Sequence, residues 1–101
     1  MNIKIEHFNI LRKIFKNSDL SQRQIANDLN LSLGKVNYCL LELKKKGLIK
    51  IRNFKKNRNK ANYIYLLTPK GISEKTKITL KFMKQKMKEY DELQKELEEN
   101  K

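Results

Sequence analysis

Residues Leu20–Leu48 read LSQRQIANDLNLSLGKVNYCLLELKKKGL, and this stretch decides the fold. Ser21 stands where a helix N-cap belongs, with Gln24 three residues on at the capping-box position and Leu20 spaced to staple onto Ile25. Ile25, Ala26 and Leu29 give that helix its apolar face, and Ala26 is small where a neighbouring helix must come close. Asn30 tolerates the left-handed conformation that ends a helix and turns the chain, so Leu31 is expected to drop into the core. Ser32 then repeats the start signal, with Leu31 and Val36 at staple spacing. Two helices joined through so short a turn predict a helix-turn-helix.

In the second of these helices Val36, Leu40 and Leu43 form the buried stripe, with Leu33 and Cys39 on its flanks. At about 100° per residue, Gly34, Lys35, Tyr38, Leu41, Glu42 and Lys45 face outward and Asn37 lies at the border. Upstream, Ile5, Phe8, Leu11, Ile14 and Phe15 recur at the three-and-four spacing of a packing helix over residues Ile3–Lys16, halted by Asn17, Ser18 and Asp19. Downstream, Gly47 is placed to end its helix in the left-handed region, and Leu48–Phe54 alternates apolar with basic residues as a strand does. Asn57, Arg58, Asn59 and Lys60 supply a turn-prone tip before the returning strand Tyr63–Leu67. Thr68-Pro69 then caps and opens a long helix. Along it Leu80, Met83, Met87, Tyr90, Leu93 and Leu97 form a narrow apolar seam. About 30 residues at roughly 1.5 Å each reach some 45 Å, too far for the whole helix to pack on so small a body. The seam is expected to take the same helix of a second subunit.

The expected fold class is therefore mostly α with a small β-hairpin wing. Residues 1–67 form a winged helix-turn-helix DNA-binding domain, and residues 68–101 a C-terminal dimerisation helix. Charge points to the partner. The 101 residues carry a formal net charge of +13, which favours a polyanion. Lys44, Lys45, Lys46, Lys50, Arg52, Lys55, Lys56, Arg58 and Lys60 face no acidic residue between them, whereas Glu89, Asp91, Glu92, Glu96, Glu98 and Glu99 crowd the end. No apolar run approaches the roughly 20 residues of a spanning helix and no signal peptide precedes the first helix, so nucleic acid is preferred to a membrane and the expected location is cytoplasmic. One cysteine, Cys39, forms no internal disulfide, and with one histidine, His7, there is no ligand set for zinc. No metal or cofactor is expected.

Two segments, LSLGKVNYCLLELKKKGLIKI from Leu31 and NFKKNRNKANYIYLLTPKGISEKTKITLKFMKQKMKEY from Asn53, carry a resemblance. From about Ser21 onward the chain closely resembles the short MarR-type regulators associated with exopolysaccharide gene clusters. The resemblance implies a winged-helix DNA-binding transcriptional regulator, and with the seam of the long helix the leading expectation is a homodimer on double-stranded DNA. It leaves open any small-molecule effector.

In such a fold the third helix enters the major groove and the wing approaches a neighbouring groove or backbone. The candidate DNA-contacting residues are Ser32, Gly34, Lys35, Asn37, Tyr38 and Lys45 on the helix, with Lys55, Lys56, Arg58 and Lys60 on the wing. Lys35 can donate to guanine, Asn37 can pair with adenine, and Tyr38 can meet a phosphate or a thymine methyl. Ser32 serves as a cap in any case, and the lysines at the helix end are favoured there by the helix dipole. Cys39 reads as a small core hydrophobe rather than a redox sensor. A winged-helix module that binds RNA or a protein partner within a larger assembly is the alternative, since the fold is reused in that way. An enzyme has little support, because no nucleophile-base pair, phosphate-cradling glycine loop or paired inward carboxylates can be found.

Overall fold

A computed structural model describes residues 3–53 and 63–100. Helix α1 (Ile5–Lys16), α2 (Gln22–Leu29) and α3 (Leu33–Lys45) are followed by an antiparallel hairpin of β1 (Ile49–Asn53) and β2 (Tyr63–Leu67), and then by α4 (Pro69–Glu99). The hairpin pairs Ile49 with Leu67, Ile51 with Tyr65 and Asn53 with Tyr63. Its connecting segment, including Lys55, Lys56, Arg58 and Lys60, lies outside the described residues.

The chemistry of each boundary explains the tight path from α2 to β1. Ser21 Oγ accepts from Gln24 N at 3.1 Å while Gln24 Oε1 accepts from Ser21 N at 2.8 Å, closing a full capping box. Asn30 adopts φ 55°, ψ 45°, and Leu31 N donates to Ala26 O at 2.9 Å, so the last carbonyls of α2 are satisfied as the chain reverses. At the end of α3, Gly47 takes φ 74°, Gly47 N donates to Lys44 O and Leu48 N to Leu43 O. This paired bond pattern is a Schellman motif, and its left-handed residue is one that glycine fills without a Cβ penalty.

The core is built from Ile10, Leu11 and Ile14 of α1, Ile25 and Ala26 of α2, Val36, Cys39, Leu40 and Leu43 of α3, and Leu48, Ile49 and Tyr65 from the hairpin region. Three apolar residues depart from the sequence expectation. Ile5 and Phe15, read as part of the packing face of α1, are 51% and 53% exposed, and Leu33, read as a flank of the buried stripe, is 45% exposed. For α1 the reason is rotational. The core is reached by Leu11, Ile14 and the unanticipated Ile10 and His7, which turns Ile5 toward α4 and leaves Phe15 beneath Lys75, whose Nζ lies 4.3 Å from the ring centroid. Leu33 sits in the first turn of α3, beyond the edge of the three-helix core.

The start of α4 is clamped onto the body. Thr68 Oγ1 donates to Gly47 O at 2.6 Å and accepts from Gly71 N at 3.0 Å, and Thr68 N donates to Leu48 O. Gly71 lies so close to the Leu48 carbonyl that a Cβ there would overlap it. Farther along, Phe82 meets Phe8 at 5.2 Å between ring centroids, a pairing worth about 0.5–1.5 kcal/mol beyond area burial. Past that contact the helix runs exposed to its end.

Candidate nucleic-acid interface

Helix α3 presents two different faces. Its buried stripe fixes the helix to α1 and α2, and the opposite side carries Gly34, Tyr38, Leu41 and Lys45 to the surface. Ser32 Oγ accepts from Lys35 N at 3.0 Å, which accounts structurally for serine at that position. Among the described residues, no heavy atom lies within 4 Å of where a Cβ at Gly34 would project. Nothing among the described residues therefore requires glycine there, although glycine weakens a helix.

Lys35 and Tyr38 form a unit on the side of α3 that faces α1. The Lys35 ammonium lies 5.7 Å from the Tyr38 ring centroid, and that ring meets His7 edge-on at 6.4 Å. Tyr38 is 52% exposed, and hydrogen bonding to the neighbouring Glu42 carboxylate pushes its phenol pKa up. Asn37 projects to the other side. Its Oδ1 accepts from Gln22 Nε2 at 3.4 Å, and the same Gln22 nitrogen donates to Tyr65 Oη at 3.1 Å. Gln22 thereby ties the start of α2, the middle of α3 and strand β2 together. The Gln22 bond takes one of the two lone pairs of Asn37 Oδ1, which leaves the other, and the Nδ2 donor, for a bidentate pairing with adenine.

Lys45 is exposed in the last turn of α3, with Lys44 beside it. On β1, Lys50 and Arg52 are exposed while Ile49 is buried, so the strand's alternation sends its cations outward to solvent.

Sequence reasoning overlooked one part of this surface. Asp19, Ser21, Gln22, Arg23 and Leu33 join Tyr63 and Tyr65 around a cleft of about 350 Å³ between the start of α2 and the hairpin. Arg23 is exposed at the second position of a helix whose N-terminal amides point outward, a combination suited to phosphate. An arginine directly after the strong N-cap signal of Ser21 was the available clue. Leu33 and Leu41 add apolar surface of the kind that meets thymine methyls.

Among the described residues, no group of three or more histidines, cysteines, aspartates and glutamates is arranged to hold a metal, and no helix is long and apolar enough to cross a membrane. Cys39 is fully buried, and that burial pushes its thiol pKa up, which disfavours the reactive thiolate. Burial likewise pulls His7 below the ordinary histidine range.

A capped, surface-facing third helix following a tight helical turn and preceding a basic hairpin matches the winged helix-turn-helix DNA-binding family model over residues 7–50. The chain has the winged helix-turn-helix fold. Solved structures agree. A mutant of S. aureus MepR superposes with TM-score 0.78 at 22% identity, over 89% of this chain and 66% of its own. Streptococcus pneumoniae FabT in complex with DNA gives 0.69 at 25% identity, over 87% and 59%. A mutant of Lactococcus lactis ZitR gives 0.72 at 20%, over 92% and 61%. A MarR family transcription regulator matches with TM-score 0.72 at 21% identity, over 83% of this chain and 54% of its own. This winged helix-turn-helix chain thus spans about half to two thirds of the length of the solved chains it matches. No curated protein sequence matches it.

Proposed function

We propose that the chain is a MarR-type, sequence-specific transcriptional regulator that binds double-stranded DNA as a homodimer on a roughly palindromic operator. The observation that carries this reading is the surface of α3. Its N-terminal half is capped by Ser32, sterically open at Gly34 and exposed at Asn37 and Tyr38, and the chain beyond it has no acidic residue from Lys44 to Lys60. Ser32, Gly34, Lys35, Asn37, Tyr38 and Lys45 contact the major groove and its flanks, and Lys55, Lys56, Arg58 and Lys60 reach the backbone from the wing. Residues 1–67 read DNA, while residues 68–101 join the two subunits through Leu80, Met83, Met87, Tyr90, Leu93 and Leu97. The DNA-bound state of the structurally similar FabT supports the choice of ligand. The resemblance to exopolysaccharide-associated regulators suggests polysaccharide biosynthesis genes as targets.

The test is fluorescence anisotropy against the duplex upstream of the chain's own gene, a random duplex and a matched RNA across a salt series. Preference for the upstream duplex retained near 150 mM salt, where nonspecific contacts fade, is the expected result. Arg58→Ala should weaken every duplex and lower the salt slope by about 1, whereas Tyr38→Ala should mainly erode preference between sequences. A clear preference for RNA would overturn the proposal.

A further inference from the structure

Helix α4 is electrically polarised along its length. Lys70, Lys75, Lys77, Lys81, Lys84, Lys86 and Lys88 stand in its first two thirds against Glu74 alone, while Glu89, Asp91, Glu92, Glu96, Glu98 and Glu99 fill the last third against Lys95 alone. Its apolar seam is uncovered, with Leu80, Met83, Met87, Tyr90, Leu93 and Leu97 between 52% and 66% exposed. The seam follows a heptad. Ser73, Leu80, Met87 and Gln94 occupy one core position, and Thr76, Met83, Tyr90 and Leu97 the other. It is continuous with an apolar groove of about 660 Å³ between α1 and α4, lined by Ile5, Phe8, Arg12, Phe82, Met83 and Met87.

We infer that this face takes the α4 helix of a second copy of the chain in the antiparallel sense, with Leu80 opposite Tyr90 and Met83 opposite Met87, so that the basic first third of each helix lies against the acidic last third of the other. The inference deepens the homodimer reading above and rests on it.

Antiparallel two-stranded packing sets the two core positions opposite each other. The register that pairs Leu80 with Tyr90 also pairs Met83 with Met87, Thr76 with Gln94 and Ser73 with Leu97. Both polar layers then fall at the flanks and the apolar ones at the centre. Along one edge Lys77 comes beside Asp91 and Lys70 beside Glu98. Near the dyad, Lys84 and Lys86 each meet their own copy. A parallel pairing would set Lys86 near Asp91 but would lay the two lysine-rich stretches side by side over their whole length, where like charges repel. The second helix would also cover the open side of the α1 groove and shield Ile5.

Four cysteine variants of the whole 101-residue chain, in a Cys39→Ala background, test the geometry, each oxidised mildly and mapped by mass spectrometry beside sedimentation equilibrium of the unmodified chain. An equimolar mixture of Leu80→Cys and Tyr90→Cys chains should give the mixed disulfide, because these positions lie opposite each other. Leu97→Cys should give no disulfide with itself, since at about 1.5 Å per residue its two copies would stand some 36 Å apart. The double variant Met83→Cys with Met87→Cys, crosslinked 83 to 87 between chains, guards against one layer failing to pack. A dimer that crosslinks through Leu97→Cys would overturn the antiparallel sense while keeping the homodimer. A dimer that forms none of the three bridges would place the interface elsewhere and also overturn it. A monomer at every concentration would remove the homodimer reading itself.

Discussion

Gly34→Ala separates the demands of folding from those of DNA binding, because the two predict effects of opposite sign. Gly34 is in the first turn of α3 with ordinary helical geometry, and a Cβ there meets nothing within 4 Å among the described residues. The substitution therefore adds no clash and lowers the conformational entropy of the unfolded chain. In a helix interior that exchange stabilises by about 0.5–1 kcal/mol, and in a first turn by an amount near the lower figure. For a chain of this size about 0.5 kcal/mol raises the melting temperature by roughly 2–4 °C. The same methyl projects from the face proposed to approach base edges. Displacing the backbone there should remove contacts of the kind worth about 1–3 kcal/mol, a loss of roughly 5- to 150-fold in operator affinity. Melting by circular dichroism and anisotropy on the upstream duplex, carried out on the same preparation, read both numbers. A protein that is stabilised yet binds its operator unchanged would refute the placement of Gly34 at the DNA surface. A destabilised protein would refute the claim that the site is sterically open.

Other expectations follow from the same contacts. Gly71→Ala should behave in the reverse way to Gly34→Ala, because its Cβ would collide with the Leu48 backbone, which the core holds in place. The overlap should cost about 1–3 kcal/mol despite the better helix propensity, and an unchanged melting temperature would show that the α4 clamp yields. Ser32→Ala should cost about 0.5–2 kcal/mol through loss of the α3 cap, while Ser32→Asp should retain most of that stability and a similar loss in both would argue against capping. His7 titrates below its unfolded value of about 6.5, mainly through burial, with Glu42 and Glu6 opposing and Lys46 and Lys35 assisting around it. Its neutral form is the one the fold accommodates, so this contribution is present above about pH 6.5 and is lost as the pH falls toward the depressed folded pKa. The melting temperature should drop between about pH 7.5 and 5.5, and His7→Leu should flatten that drop; an equal slope in both proteins would assign it to other groups.

Much of the chain was legible because its signals are local. Ser21 with Gln24, Asn30, Ser32, Gly47 and Thr68-Pro69 each act on backbone groups within a few residues, so the helix boundaries and the turn between α2 and α3 follow from short-range hydrogen bonding and backbone sterics. The buried stripe of Val36, Leu40 and Leu43 follows equally from helical period. Periodicity does not specify what lies on the far side of a helix. Ile5 and Phe15 satisfy the α1 pattern as well as Leu11 does, yet α4 draws one toward its groove and Lys75 covers the other. Only the tertiary arrangement could separate them.

The candidate site divides along the same line. Sequence alone placed Gly34, Tyr38 and Lys45 on the outer face of α3, since a helix's angular positions depend on spacing alone. It gave no sign that Gln22 bridges Asn37 and Tyr65, because that bond joins residues 15 and 43 positions apart. Nor did it place Arg23 and Leu33 beside Tyr63, or His7 against Tyr38. What the sequence determined by itself was the set of elements, their caps and the charge they carry, all consequences of neighbouring residues. Which side chains from separate elements share one surface was decided by packing, which depends on how three helices and a hairpin fill a common core.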